Sequence, residues 1–276
     1  MFSISAFPMP THVTPQFFWT LIGFSFVLGT CIGSFLNVVI YRVPAGLSVV
    51  APRSRCQGCL TEIASRDNIP VISWLLLRGK CRTCQARISW RYPAVEVFTA
   101  ALFALFAWHF GFVGILPAFL YLAAVGIALA MIDLDVRRLP DQIVLPSYLV
   151  ALALLLAGSL VDGQPRLMIG ALLGALALYA FYFLLALIYP AGMGFGDVKL
   201  AGVLGLYLGY LGWGSLIIGG FLGFALGGVV GGALIVIRRA GRKTMIPFGP
   251  FMLAGAGLAV FFGQAWAQAY LTHLGL

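Results

Sequence analysis

Residues 114–132 read GILPAFLYLAAVGIALAMI, a run without a single charge, and the chain then turns at once to Asp133-Leu-Asp135-Val-Arg-Arg138-Leu-Pro-Asp141. An uncharged run of this length is what about 30 Å of hydrocarbon asks of an α-helix, and the abrupt charges mark the interface where it ends. Working outward, comparable runs occur at 17–41, 95–111, 143–161, 167–189, 198–212, 214–237 and 247–273, giving about eight transmembrane helices with 114–132. The run at 198–212 is short and starts beside Asp197 and Lys199, so seven spans is the alternative count. With 62% hydrophobic and only 9% charged residues, the composition excludes an ordinary soluble domain. The expected fold class is an all-α polytopic membrane protein.

The basic residues orient it. With eight spans and the N-terminus outside, sixteen of the seventeen Lys and Arg residues fall in the inner segments 42–94, 133–142, 190–197 with the adjoining Lys199, and 238–246, and only Arg166 falls outside. That asymmetry is the positive-inside pattern, so the net charge of +9 reads as topology with the lipid bilayer as default partner; nucleic acid is not implied. Both termini are then expected on the periplasmic face. The first sixteen residues lack Lys and Arg, so no cleavable signal peptide is expected and the N-terminus is retained.

The only sizeable polar segment, 42–94, carries four of the five cysteines as Cys56-Gln-Gly-Cys59 and Cys81-Arg-Thr-Cys84. Paired C-x-x-C knuckles at this separation suit a tetrahedral Zn²⁺, which a small domain without a full core uses to fold. Two disulfides, or redox chemistry at one pair, are the competing readings; a reducing cytoplasm and the duplication favour structural zinc. The organisation expected is a first helix (1–41), a zinc-binding domain (42–94) and a membrane domain (95–276). Within the seventh span Gly219, Gly223, Gly227 and Gly231 recur every four residues, a groove suited to close helix packing.

Of eight acidic residues, Asp133, Asp135, Asp141 and Asp197 gather at span ends, the last in Gly194-Phe-Gly196-Asp197. A carboxylate at such depth pairs, faces water or performs chemistry. Two of them side by side cannot both ionise easily, so they share a proton: one takes a proton from water attacking a peptide carbonyl, the other protonates the leaving amine. The glycines leave room for an extended substrate. The plainer reading is interfacial acids paired with Arg137, Arg138 and Lys199.

Taken together these residues resemble the bacterial prepilin peptidases, GxGD membrane aspartyl proteases that process type IV prepilins and type II secretion pseudopilins. The resemblance runs through Gly33-Ser-Phe-Leu-Asn37 to Arg42-Val-Pro44, both knuckles, Asn68-Ile-Pro70, Arg91-Tyr-Pro93 with Glu96, Asp133 with Leu139-Pro-Asp141, Gly194 to Lys199, and Ile246-Pro-Phe-Gly-Pro250. It implies Asp133 and Asp197 as the catalytic pair; Asp135, two residues on, points to another helix face. It implies a location in the bacterial inner membrane, with zinc domain and active site on the cytoplasmic side. The implied partner is a prepilin or pseudopilin precursor, cut between Gly and usually Phe after a basic leader, for which Asp135, Asp141, Glu62 or Asp67 offers countercharge. It also implies N-methylation of the new terminus by S-adenosylmethionine, for which no nucleotide fingerprint is visible. Gly194, Gly196, Lys199, Gly79, Lys80 and Glu96 are the expected substrate or cofactor contacts. Relatives often carry Pro after the first cysteine, where Gln57 stands here. The alternatives are a transporter using the acids as a proton relay, or a secretion-assembly protein with a structural zinc domain. Oligomeric state is not legible.

Overall fold

The computed structural model describes residues 15–190, 193–237 and 247–275. The N-terminal segment expected to be retained, the basic segment 238–246 and Ile246 of the last motif lie outside the described residues. Nine helices are described: α1 (Pro15–Arg42), α2 (Ile72–Leu76), α3 (Arg91–Phe110), α4 (Leu116–Val136), α5 (Asp141–Val161), α6 (Leu167–Ile188), α7 (Phe195–Leu211), α8 (Trp213–Val236) and α9 (Gly249–His273). Among the described residues no strand forms beyond two isolated bridges, Arg55 with Glu62 and Lys80 with Arg87.

Seven helices, α1, α3, α4, α5, α6, α8 and α9, are long and apolar enough to cross a membrane. The chain is a multi-pass membrane protein. The run expected at 198–212 is helical as α7, but at 17 residues it is the shortest of the long helices, spanning about 25 Å. Its environment explains the length. Leu200–Leu211 is buried without interruption, so α7 is walled in by protein rather than lipid and need not match the hydrocarbon thickness.

The chain divides into two compact units. The first takes in α1, the cysteine segment, α2, α3 and Leu120–Ala128 of α4. Here α1 and α3 run antiparallel and nearly touch: a Cβ at Gly29 would lie 2.6 Å from the Ala100 Cα, and one at Gly33 2.7 Å from the Glu96 Cα. Asn37 Nδ2 donates to the Tyr92 carbonyl at 3.1 Å, fixing the end of the pair nearest the cysteine segment.

The second unit holds Val113–Phe119 and the described residues from Leu129 onward. Its centre is α7, packed antiparallel on α6 through Gly174, where a Cβ would come within 2.6 Å of the Gly205 carbonyl, and Gly170, likewise 2.7 Å from that of Gly209. Small residues let these backbones approach where no hydrophobic effect drives helices together. In the expected α8 groove Gly223 meets the Met252 backbone, while Gly219 meets the side chains of Leu208 and Ala259 and Gly227 faces the rings of Phe248 and Phe251. Phe119 of α4 meets Tyr207 of α7 with ring centroids 5.4 Å apart, so the third and sixth apolar runs are neighbours.

Candidate functional site

Helix α4 ends where its sequence turns charged. Arg137 adopts a left-handed conformation (φ 53°, ψ 44°) and donates its N–H to the Asp133 carbonyl at 2.8 Å, a C-terminal cap. Asp133 therefore sits in the last turn, 5% exposed, while Asp135 faces outward and is exposed. The Gly249 N–H, at the start of α9, donates to Asp133 Oδ2 at 3.0 Å.

Asp197 lies at the opposite kind of helix end. Gly194 precedes α7 and donates its N–H to Asp197 Oδ2 at 3.2 Å, while the Asp197 N–H donates to the Gly194 carbonyl at 3.0 Å. An acid three residues into a helix, looped back onto the residue before it, satisfies donors that would otherwise be orphaned. Leu139 lies between the two segments: a Cβ on Gly196 would touch its Cβ at 3.1 Å, and one on Gly249 would lie 3.3 Å from its Cδ2. Asp197 is close enough to Asp133 to feel its charge. Each carboxylate thus has one oxygen held by a backbone N–H.

Among the described residues neither acid pairs with Lys or Arg. The cation expected nearby is engaged elsewhere: Lys199 Nζ lies 2.7 and 2.8 Å from the two oxygens of Asp141 and 5.1 Å from the Phe195 ring centroid. Tyr148 of α5 donates its hydroxyl to the Lys199 carbonyl at 2.6 Å. Beside Asp197, Tyr182 is buried and donates to the Gly220 carbonyl at 3.2 Å, its ring 5.2 Å from Phe224. Charge and spacing drew no attention to Tyr182, Phe224 or Gly249; only the string that contains Gly249 did.

In the first unit the four sulfur atoms of Cys56, Cys59, Cys81 and Cys84 lie within 4.8 Å of one another, a cluster that can hold a metal ion. The two knuckles repeat one conformation. Leu60 donates to Cys56 O at 2.9 Å and Gln85 to Cys81 O at 3.1 Å, each residue at positive φ (58° and 60°). Arg82 clasps Asp67 with Nε at 2.9 Å from Oδ2 and Nη2 at 2.6 Å from Oδ1, tying the second knuckle to the turn at Ser65–Asp67. Gly79, at φ 66°, lies against the Trp74 indole, whose Nε1 donates to the Ile88 carbonyl at 3.1 Å. Lys80 opens the second knuckle through its bridge to Arg87. Glu96 is 7% exposed on α3 and accepts the Val71 N–H at 2.7 Å.

Fold and site define a multi-pass membrane protein with a four-cysteine cluster that can hold a metal ion and two acids at helix ends. Residues 27–110 match the bacterial peptidase A24 N-terminal domain, and residues 120–237 match the type IV leader peptidase family. Curated relatives named prepilin leader peptidase/N-methyltransferase include one from Stutzerimonas stutzeri, 37% identical over 89% of this chain and 92% of its own. The relative from Aeromonas hydrophila is also 37% identical, over 95% and 97%; that from Neisseria gonorrhoeae is 42% identical over 66% and 72%. No solved structure matches. The chain belongs to the type IV leader peptidase family of membrane enzymes.

Proposed function

We propose that this protein removes the basic leader of type IV prepilins or pseudopilins at a Gly–Phe bond on the cytoplasmic face of the bacterial inner membrane, and N-methylates the terminus it exposes. The observation that carries the proteolytic half is that Asp133 and Asp197 lie near enough for one charge to act on the other, each with one oxygen fixed by a backbone N–H. Neighbouring carboxylates share a proton rather than both ionise. The ionised member takes a proton from water as its oxygen attacks the scissile carbonyl, and the protonated member hydrogen-bonds the carbonyl oxygen. Collapse of the adduct breaks the C–N bond, and the amine leaves with a proton from the pair. The step requires no metal or covalent intermediate. Gly194 puts no side chain of its own beside the Asp197 carboxylate, where a Cβ would lie 3.4 Å from Oδ2, which leaves room for an extended peptide, while Gly196 packs against Leu139.

The lobe supports structural zinc. The Cys56 and Cys84 sulfurs lie 3.7 Å apart, and a tetrahedron with Zn–S bonds of about 2.3 Å has edges of about 3.8 Å. Cys56, Cys59, Cys81 and Cys84 would be its ligands. S-adenosylmethionine, when bound, supplies an activated methyl group for the new amine. The transporter and assembly-protein readings are not favoured, since the relatives carry the names of processing enzymes.

The test incubates purified protein with a prepilin and follows leader loss by mass, with and without S-adenosylmethionine. Wild type should release the leader and then add one methyl mass. Undiminished cleavage by both Asp133→Asn and Asp197→Asn would remove the aspartyl assignment.

A further inference from the structure

The first unit contains a cleft of about 510 Å³ between one face of α1 and the loops that follow it, within the range of about 300–1,000 Å³ usual for small-molecule sites. Ser34, Phe35 and Arg42 line it from α1; Arg53, Asn68 and Pro70 line it from the loops. Apolar wall and hydrogen-bonding groups thus face the same space. Arg42 also holds the loop in place, donating to the carbonyls of Ser48 at 2.9 Å and Pro52 at 2.7 Å.

Directly behind this lining is a charge that the peptide-cleaving pair does not use. Glu96 is more than nine-tenths buried and accepts hydrogen bonds from the Val71 N–H, next to Pro70, and from the Ser34 hydroxyl. Among the described residues no Lys or Arg pairs with it. A buried carboxylate without a cation is costly, and a cationic ligand beside it offsets that cost. The cleft is therefore bipolar. Ser34, backed by Glu96, forms one end, and Arg42 and Arg53 bring positive charge to the other, with Ser34 and Arg42 about 12 Å apart along α1. An anionic lipid headgroup suits the arginines but leaves Glu96 without a counterion. A ligand carrying both a cationic centre and a carboxylate suits both ends.

We propose that this cleft binds S-adenosylmethionine, its sulfonium toward Ser34 and Glu96 and its carboxylate toward Arg42 and Arg53. This rests on the methyltransferase reading above and adds where the donor sits.

The experiment uses the purified full chain in detergent. Tritiated S-adenosylmethionine is photo-crosslinked to wild type and the labelled peptides are mapped; separately, equilibrium affinities for S-adenosylmethionine and S-adenosylhomocysteine are measured for wild type, Ser34→Phe and Glu96→Gln. The label should fall within 31–54 or 63–70. Ser34→Phe, which fills the cleft, should weaken both ligands at least tenfold. Glu96→Gln should weaken S-adenosylmethionine about fivefold and S-adenosylhomocysteine, whose sulfur is neutral, less than twofold. Leader cleavage checks that each variant is folded, and the wild-type crosslink decides alone if one is not. Label elsewhere, or unchanged affinities in folded variants that accompany normal wild-type methylation, would overturn the cleft and leave the methyltransferase reading standing. Wild type that neither binds the donor nor methylates would overturn both. Displacement of nothing but phosphatidylglycerol from the cleft would assign it to lipid instead.

Discussion

The backbone N–H of Gly249 donates to Asp133 Oδ2 at 3.0 Å across 116 residues of sequence. The first residue of α9 thereby orients a carboxylate in the last turn of α4, and the donor is one that no side chain advertises. A Cβ at position 249 would lie 2.9 Å from that oxygen and 3.3 Å from Leu139 Cδ2. Gly249→Ala should therefore shift the carboxylate by a few tenths of an ångström without unfolding the bundle. A misplacement of about 1 Å at a reacting group can cost about 100-fold in rate, so a shift of this size should cost up to about tenfold. Steady-state assay on a prepilin should show the loss in kcat with KM little changed; an equal fall in solubility and thermal stability would mean the glycine serves packing alone.

Lys199 and Asp141 join the first turn of α7 to the start of α5. The pair is partly solvated, with side chains 21% and 54% exposed, so its loss should cost folding only about 0.5 kcal/mol. Its expected effect is on geometry, because Lys199 lies two residues from Asp197. Asp141→Asn and Lys199→Met should each lower kcat several-fold, and the double variant should be no worse than the worse single, since both break one contact. Fully multiplicative losses in kcat would show that the two residues act separately.

Much of this architecture was readable beforehand, and the exceptions share a cause. Apolar runs mark the seven helices long enough to cross a membrane, and the C-x-x-C spacing marks the four-cysteine cluster that can hold a metal ion, because both signals are local in sequence. What could not be read depends on which helix lies beside which. The run at 198–212 stands apart in sequence only by its shortness and flanking charges, and the protein sheath around Leu200–Leu211 shows only in the fold. Lys199 reads equally well as a partner for any nearby acid, and only the packing of α5 on α7 directs it to Asp141. Glu96 draws attention as a buried acid, but its link to Val71 and Ser34 requires the fold of the cysteine segment. The glycine crossing of α6 on α7 involves Gly170, Gly174, Gly205 and Gly209, whose spacing matters only once the helices are known to pair.

The metal-binding lobe should carry one zinc ion per chain by elemental analysis. Removing it, by chelator or by Cys81→Ser, leaves three or four thiols without the ion that brings them together. In a segment with little apolar core, metal affinity is folding free energy. Limited proteolysis should then cut within 43–90 at concentrations that leave the wild type intact. Unchanged proteolysis after complete metal loss would show that the lobe folds without it.

Asp67 gives that lobe a defined acid sensitivity. The hydrogen bonds from Arg82, aided by its charge, hold the Asp67 carboxyl below the ordinary carboxylate range. A pKa depressed on folding stabilises the folded lobe above the unfolded value, about 3.9, and that contribution is lost as pH falls through the lower folded value. Asp67→Asn lacks it at every pH. Amide protection of residues 65–85 should differ between wild type and variant at pH 6, and the difference should shrink below about pH 4. A gap that stays constant into acid would assign the effect to packing.

The two aspartates should titrate as a unit. If one proton is shared between Asp133 and Asp197, activity requires the singly protonated pair, and cleavage should follow a bell-shaped pH profile whose two limbs belong to the pair rather than to either residue. Replacing either carboxylate by the amide leaves its partner without a carboxyl to share the proton. Asp133→Asn and Asp197→Asn should therefore each lower kcat by about 10³-fold or more, and the double variant should fall little further, because residues that act together lose their function together. The backbone donors from Gly249 and Gly194 can still hydrogen-bond the amide oxygen, so folding should be preserved and prepilin binding retained. A single sigmoidal limb in the wild-type profile, persisting with the same midpoint in either variant, would mean that the protons of this reaction are handled elsewhere.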